Sequence, residues 1–215
     1  MFFWIEATIL AFSLFRELVL TLDKPETRNS EKNSFRFYGG HESRPLMSFV
    51  VLGDIRYEYH HTSISGIDFS RKIKSDFNDL PLDFSLGMSL VRYNENNFQK
   101  NHNQYNLFLN MHYKIKRRGI PLRLFIGEGI SFAERVPYVE GRETRRLSGR
   151  DSKVMNYLNV GFDFRLSDLT GHDSLHNIRL GLSNAHRSGA FKKIKLFNHT
   201  QGGSDFVSLF LEYDF

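Results

Sequence analysis

Four His-x-Ser pairs occur in the chain: His41/Ser43, His61/Ser63, His172/Ser174 and His186/Ser188. An imidazole beside a hydroxyl suits nucleophilic ester chemistry, with the ring as general base, the hydroxyl as nucleophile and an acid to orient the ring. On an extended strand, residues i and i+2 share a face and stand about 7 Å apart. Spacing therefore admits all four pairs and selects none, so position has to separate them. The chain contains no cysteine, which removes cysteine nucleophiles, thiolate zinc sites and disulfides from consideration. The hydroxyl–imidazole reading expects no metal and no cofactor.

The elements that must position these pairs are legible as period-two alternation from Ser34 onward. Phe35 and Phe37 alternate with Arg36 and Tyr38. Phe49, Val51, Ile55, Tyr57 and Tyr59 alternate with Asp54, Arg56 and Glu58. A third run sets Leu82, Phe84, Leu86, Met88 and Leu90 against Asp83, Ser85, Gly87 and Ser89. Further runs follow at 105–113, 122–133, 157–166, 178–183 and 207–215. Glu128 interrupts the apolar face of the fifth run and requires a bulge or a local partner.

Such alternation predicts an all-β chain: an eight-stranded antiparallel transmembrane β-barrel of the bacterial outer membrane, occupying 35–215. A water-soluble barrel or sandwich would need a second face dominated by Lys, Glu and Thr. The second face here carries Gly, Ser, Asn, Asp and isolated Arg, which suits a narrow lumen packed with small, hydrogen-bonding side chains. A soluble binding protein is the alternative this composition disfavours. Residues 1–22 read as an atypical export signal interrupted by Glu6, Arg16 and Glu17, and residues 23–34 as a linker.

An even strand count puts both ends of the barrel in the periplasm. The pairs at His61 and His172 then fall at periplasmic ends. His186 and Ser188 continue the outward phase of Ile178, Leu180 and Leu182 near the outer end of the seventh strand. Asp205 is in outward phase with Val207, Leu209 and Leu211 at the outer start of the eighth. One acid is thus expected beside one His-Ser pair on the lipid-facing surface, where polar groups are costly. His41 and Ser43 remain open as a second candidate, because the first strand adjoins the eighth on closure. The formal charge of +5 gains meaning in the outer connections. Arg142, Arg145 and Arg146 lie between the fifth and sixth strands, and Lys192 and Lys193 between the last two. Cations at that height match phosphorylated lipid head groups.

The segments IPLRLFIGEGISFAERV, SKVMNYLNVGFDFRL, NIRLGLSNAHRSGAF and GGSDFVSLFLEYDF, within 105–215, resemble the PagL-like lipid A 3-O-deacylases. The resemblance implies an eight-stranded outer-membrane serine esterase that removes an ester-linked acyl chain from lipopolysaccharide. It implies His186 as base, Ser188 as nucleophile and Asp205 as the acid that orients the ring. The family acid is usually Glu, and the family's Asn after the serine is replaced by Gly189. Backbone N–H groups of Gly189 or Ala190 are left as oxyanion donors. The expected partners are lipopolysaccharide and outer-membrane lipids, with a homodimer open and no nucleic acid. A catalytically inactive barrel of the same fold that binds lipopolysaccharide or acts in surface interaction is the competing reading.

Overall fold

The computed structural model describes residues 31–44, 53–54, 56–117, 120–189 and 193–215. Eight antiparallel strands close on themselves in sequence order, with the first paired to the last. They are β1 (Asn33–Glu42), β2 (Ser63–Lys74), β3 (Leu82–Asn94), β4 (His102–Arg117), β5 (Ile120–Ala133), β6 (Val154–Arg165), β7 (Ile178–Ser188) and β8 (Gly203–Asp214). Closure leaves no strand edge unpaired, which a lipid environment demands of a sheet. The expected signal segment, 1–22, and most of the expected linker lie outside the described residues. The first strand begins at Asn33, just inside that linker.

Alternation sorts the side chains as the composition suggests. Phe37, Met88, Leu107, Ile130 and Leu209 stand on the outer surface, each roughly half exposed. Arg36, Ser89, Asn106, Asn110, Asp163 and Ser208 are buried inside. Aromatic residues mark both rims of the apolar band, Phe35 and Phe215 at the end with the termini (5.4 Å between rings) and Tyr105 with Phe132 at the other (6.4 Å).

The lumen is filled. Near the termini Arg36, Arg123 and Arg179 interleave with Glu212, Asp163 and Asp214, with Arg36–Glu212 at 2.7 Å and Arg179–Asp163 at 2.7 Å. The Arg36 guanidinium also lies 4.0 Å from the Phe210 ring centroid. Every buried cation there meets an acid, which is the condition under which charge is tolerated in a dry interior.

The second strand departs from the alternation-based expectation. The run at Phe49–Tyr59 is not β2; it falls in the long connection that precedes it, partly outside the described residues. Tyr57 makes an isolated bridge to Ser43, and Tyr57 and Tyr59 are exposed. The true β2 hides its pattern, because Ile64 points into the lumen while Ser65 and Arg71 interrupt its outer face. His61 therefore sits at the outer end of the barrel, in a left-handed conformation (φ 54°), and not at the periplasmic end.

The connection between β5 and β6 forms a helix, α1 (Tyr138–Ser148), closed by Gly149 in the left-handed region at φ 68°. Its buried face carries Glu140, Gly141 and Thr144. Glu140 pairs with the lumen-facing Arg187 (3.1 Å) and accepts from Ser204 Oγ (3.1 Å), so α1 is pinned over the outer mouth. A second short helix, α2 (Leu166–Thr170), follows β6 at the opposite end.

Candidate active site

Three outward residues of β7 are in line: Asn184, His186 and Ser188. The ladder to β8 makes His186 and Asp205 direct Cα partners, and Ser188 and Gly203 the next outward pair. Asp205 Oδ1 accepts from His186 Nδ1 at 3.0 Å and from Asn184 Nδ2 at 3.1 Å. An acceptor-only carboxylate on Nδ1 places the ring proton there and leaves the Nε2 lone pair free, the tautomer a general base requires. The shorter side chain of Asp, compared with Glu, spans the gap because the two residues face each other directly. Asp205 is buried although its phase is outward.

Ser188 is two residues beyond His186 on the same face. Among the described residues no hydrogen bond joins its hydroxyl to the ring, so its placement comes from the strand alone. Catalytic contacts of this type commonly tighten only when substrate is bound.

The other three pairs are arranged differently. Ser43 Oγ donates to the Arg56 carbonyl at 3.3 Å, and the His41 ring packs edge-on against Tyr57 at 5.5 Å. Asp205 meets β1 only through its backbone, its carbonyl accepting from Ser43 N at 2.8 Å. Ser174 lies in a one-turn 3-10 helix at Asp173–Leu175, which breaks the extended geometry. His61 and Ser63 straddle the entry to β2, where His61 has φ 54°. The acid thus falls to His186.

The backbone N–H of Gly189 donates to the Gly202 carbonyl at 3.2 Å and is engaged in extending the ladder. A side chain at this position would collide with the backbone of Thr200, so glycine is required by close approach. Ala190 and Lys192 lie outside the described residues.

The arginines of α1 are each held. Arg142 donates to His60 Nε2 at 2.7 Å, Arg145 pairs with Asp151, and Arg146 pairs with Glu143 at 2.9 Å. The latter two pairs are exposed surface contacts of the kind that contribute little to stability and can exchange partners. Lys193 is exposed.

Two neighbours of the pair escaped the sequence pattern. Asn184 was visible as an outward polar residue but had no assigned part. Asn156, on β6, is the Cα partner of Ser188 on its other side. Glu128 is outward with no bulge in either of its ladders, and Asn156 is its diagonal neighbour on β6.

No protein-family model matches the chain, and no curated relative matches it. Solved structures do. The outer membrane enzyme PagL shares 13% identity, covering 84% of this chain and 98% of that one with a TM-score of 0.53. The N-terminal β-barrel domain of Pseudomonas aeruginosa OprF shares 12%, covering 86% and 98% with a TM-score of 0.50. At this identity the likeness is one of fold. Together with the apolar outer belt, it makes this chain a bacterial outer-membrane barrel.

Proposed function

We propose that this barrel is an outer-membrane serine esterase that removes an ester-linked acyl chain from lipid A of lipopolysaccharide. The observation that carries the proposal is the Asp205–His186 contact of 3.0 Å on the outer surface of the barrel, beside Ser188. An acid hydrogen-bonded to an imidazole, with a hydroxyl on the same outward face, is costly on a lipid-facing surface unless used. The resemblance of the β7 and β8 segments to the PagL-like deacylases supports the same chemistry.

In this mechanism Ser188 Oγ attacks the acyl carbonyl carbon while His186 Nε2 takes the hydroxyl proton. Asp205 holds the ring and balances its positive charge. The tetrahedral intermediate collapses as Nε2 returns the proton to the departing sugar oxygen, leaving an acyl-serine. Water, deprotonated by the same nitrogen, then releases the fatty acid and restores Ser188. Arg142, Arg145, Arg146, Lys192 and Lys193 are proposed to meet the head-group phosphates, exchanging surface acids for them.

Mass spectrometry of lipid A from cells expressing the wild-type chain or Ser188→Ala tests this reading. The wild type should remove one acyl chain and the variant none. Equal acylation in both would leave a barrel that binds lipopolysaccharide without catalysis.

A further inference from the structure

The outer surface around Ser188 holds a polar pair that the His186–Asp205 relay does not use. Glu128 on β5 lies between Ile126 and Ile130, both facing lipid at 41% and 48% exposure. Continuous pairing of β5 with both β4 and β6 fixes its outward direction, so the carboxylate is not turned aside by a bulge. An ionisable group on this face is expensive and calls for a partner with a purpose. Its nearest outward polar neighbour on β6 is Asn156, set diagonally across the ladder: Leu158 is the Cα partner of Glu128 and Ile130 that of Asn156.

Asn156 stands directly opposite Ser188 in the β6–β7 register. Side chains so paired have Cβ atoms about 4.5–5.5 Å apart. An amide there reaches the carbonyl oxygen of an ester whose carbon is under attack by Ser188. The obvious backbone donor is elsewhere engaged, since Gly189 N–H donates to Gly202 at 3.2 Å. Position 189 also has no room for a side-chain donor.

We infer that Asn156 supplies the oxyanion donor for Ser188, and that Glu128 is the positioning residue that aims it. A carboxyl oxygen that accepts turns the amide nitrogen, and not the amide oxygen, toward itself. Nδ2 carries two hydrogens. One is directed across the diagonal toward Glu128, and the other is left to donate to the carbonyl oxygen as it gains charge. Glu128 sits one strand beyond the amide, so the donor lies between its carboxyl group and the developing oxyanion. The site then spans four adjacent strands, from Glu128 on β5 to Asp205 on β8.

This inference rests on the esterase reading, and the test separates the two. The full-length chain, folded in detergent micelles, is assayed for kcat and KM on a p-nitrophenyl acyl ester and on purified lipopolysaccharide. Asn156→Ala should lower kcat roughly 10²–10³-fold with KM little changed, as for loss of one oxyanion donor. Glu128→Leu should lower kcat about tenfold while the heat-dependent gel shift of the folded barrel persists to an equal or higher temperature, since a lipid-facing charge has been removed. Glu128→Gln, whose side-chain oxygen still accepts, should recover part of that loss. A merely structural role predicts the reverse, a weakened barrel with kcat retained by whatever folds. If Ser188→Ala is inactive while Asn156→Ala turns over like the wild type on both substrates, the oxyanion assignment is overturned alone. If the wild type hydrolyses neither substrate, the esterase reading falls and takes this assignment with it.

Discussion

Asp205 and His186 face each other as Cα partners across β7 and β8, with Asp205 Oδ1 3.0 Å from His186 Nδ1. That relationship selects one His-x-Ser pair from four. Asp205→Ala should lower ester hydrolysis on the order of 10³-fold or more, as loss of the ring-orienting acid does elsewhere. His41→Ala should leave it unchanged, because His41 packs against Tyr57 and not on the acid. Initial rates of both variants on one ester check this, and the opposite pattern would move the site to β1.

Gly189→Asn would place an amide where the PagL-like family carries one. Here it should fail to raise activity and should reduce the yield of folded barrel, because the new Cβ meets the Thr200 backbone. The fraction with heat-modifiable mobility after refolding gives the answer.

Glu140 is fully buried against Arg187, whose side chain is 3% exposed. Removing one partner leaves a charge stranded in the lumen, so Glu140→Ala should cost about 3–5 kcal/mol. The double variant Glu140→Gln with Arg187→Met should cost less than Glu140→Ala alone. Unfolding in denaturant, followed by gel mobility, measures both.

Glu95, in the connection from β3 to β4, is buried beneath α1 and accepts from Gln99 Nε2 at 2.7 Å and from Tyr138 N at 3.3 Å. His102 lies 3.4 Å from it. Burial pushes its carboxyl above the usual range, and those donors only partly offset this. A folded-state value above the unfolded one means that the folded barrel takes up the proton first as pH falls. The stabilising contribution is therefore complete below the unfolded value and is lost as pH rises through the folded one. The thermal stability of the wild type relative to Glu95→Gln should therefore rise as pH falls toward the unfolded glutamate value of about 4.3, and thermal unfolding of the two across that range measures it.

The sequence carried the barrel because one outward face per strand is nearly uniform: Leu86, Met88 and Leu90 on β3, or Leu107 and Leu109 on β4, cannot be read another way. It misplaced β2 because that strand has Ile64 inside and Ser65 and Arg71 outside, while the preceding connection happens to alternate. The same error put His61 at the wrong end. The connection carrying Arg142, Arg145 and Arg146 showed no helix in the sequence, since the buried face of α1 is Glu140, Gly141 and Thr144 and not an apolar stripe. The shared outward face of His186, Ser188 and Asp205 was legible because phase along a strand is a local property. Asn156 was not, because its place beside Ser188 depends on the register between strands, which no single strand encodes.

Arg145 and Arg146 are tied only to the exposed acids Asp151 and Glu143. Replacing both with Glu should raise KM for lipopolysaccharide several-fold, and less so at high salt, while kcat on a neutral short ester is unchanged. Parallel kinetics on the two substrates would show it.

The most direct test of the account is incubation of the purified, folded barrel with purified lipopolysaccharide, following released fatty acid and lipid A mass together. The account predicts one equivalent of free fatty acid for each lipid A that loses an acyl chain, with Ser188→Ala releasing none. Unchanged lipid A in the presence of folded wild-type protein, or equal release by Ser188→Ala, would contradict it.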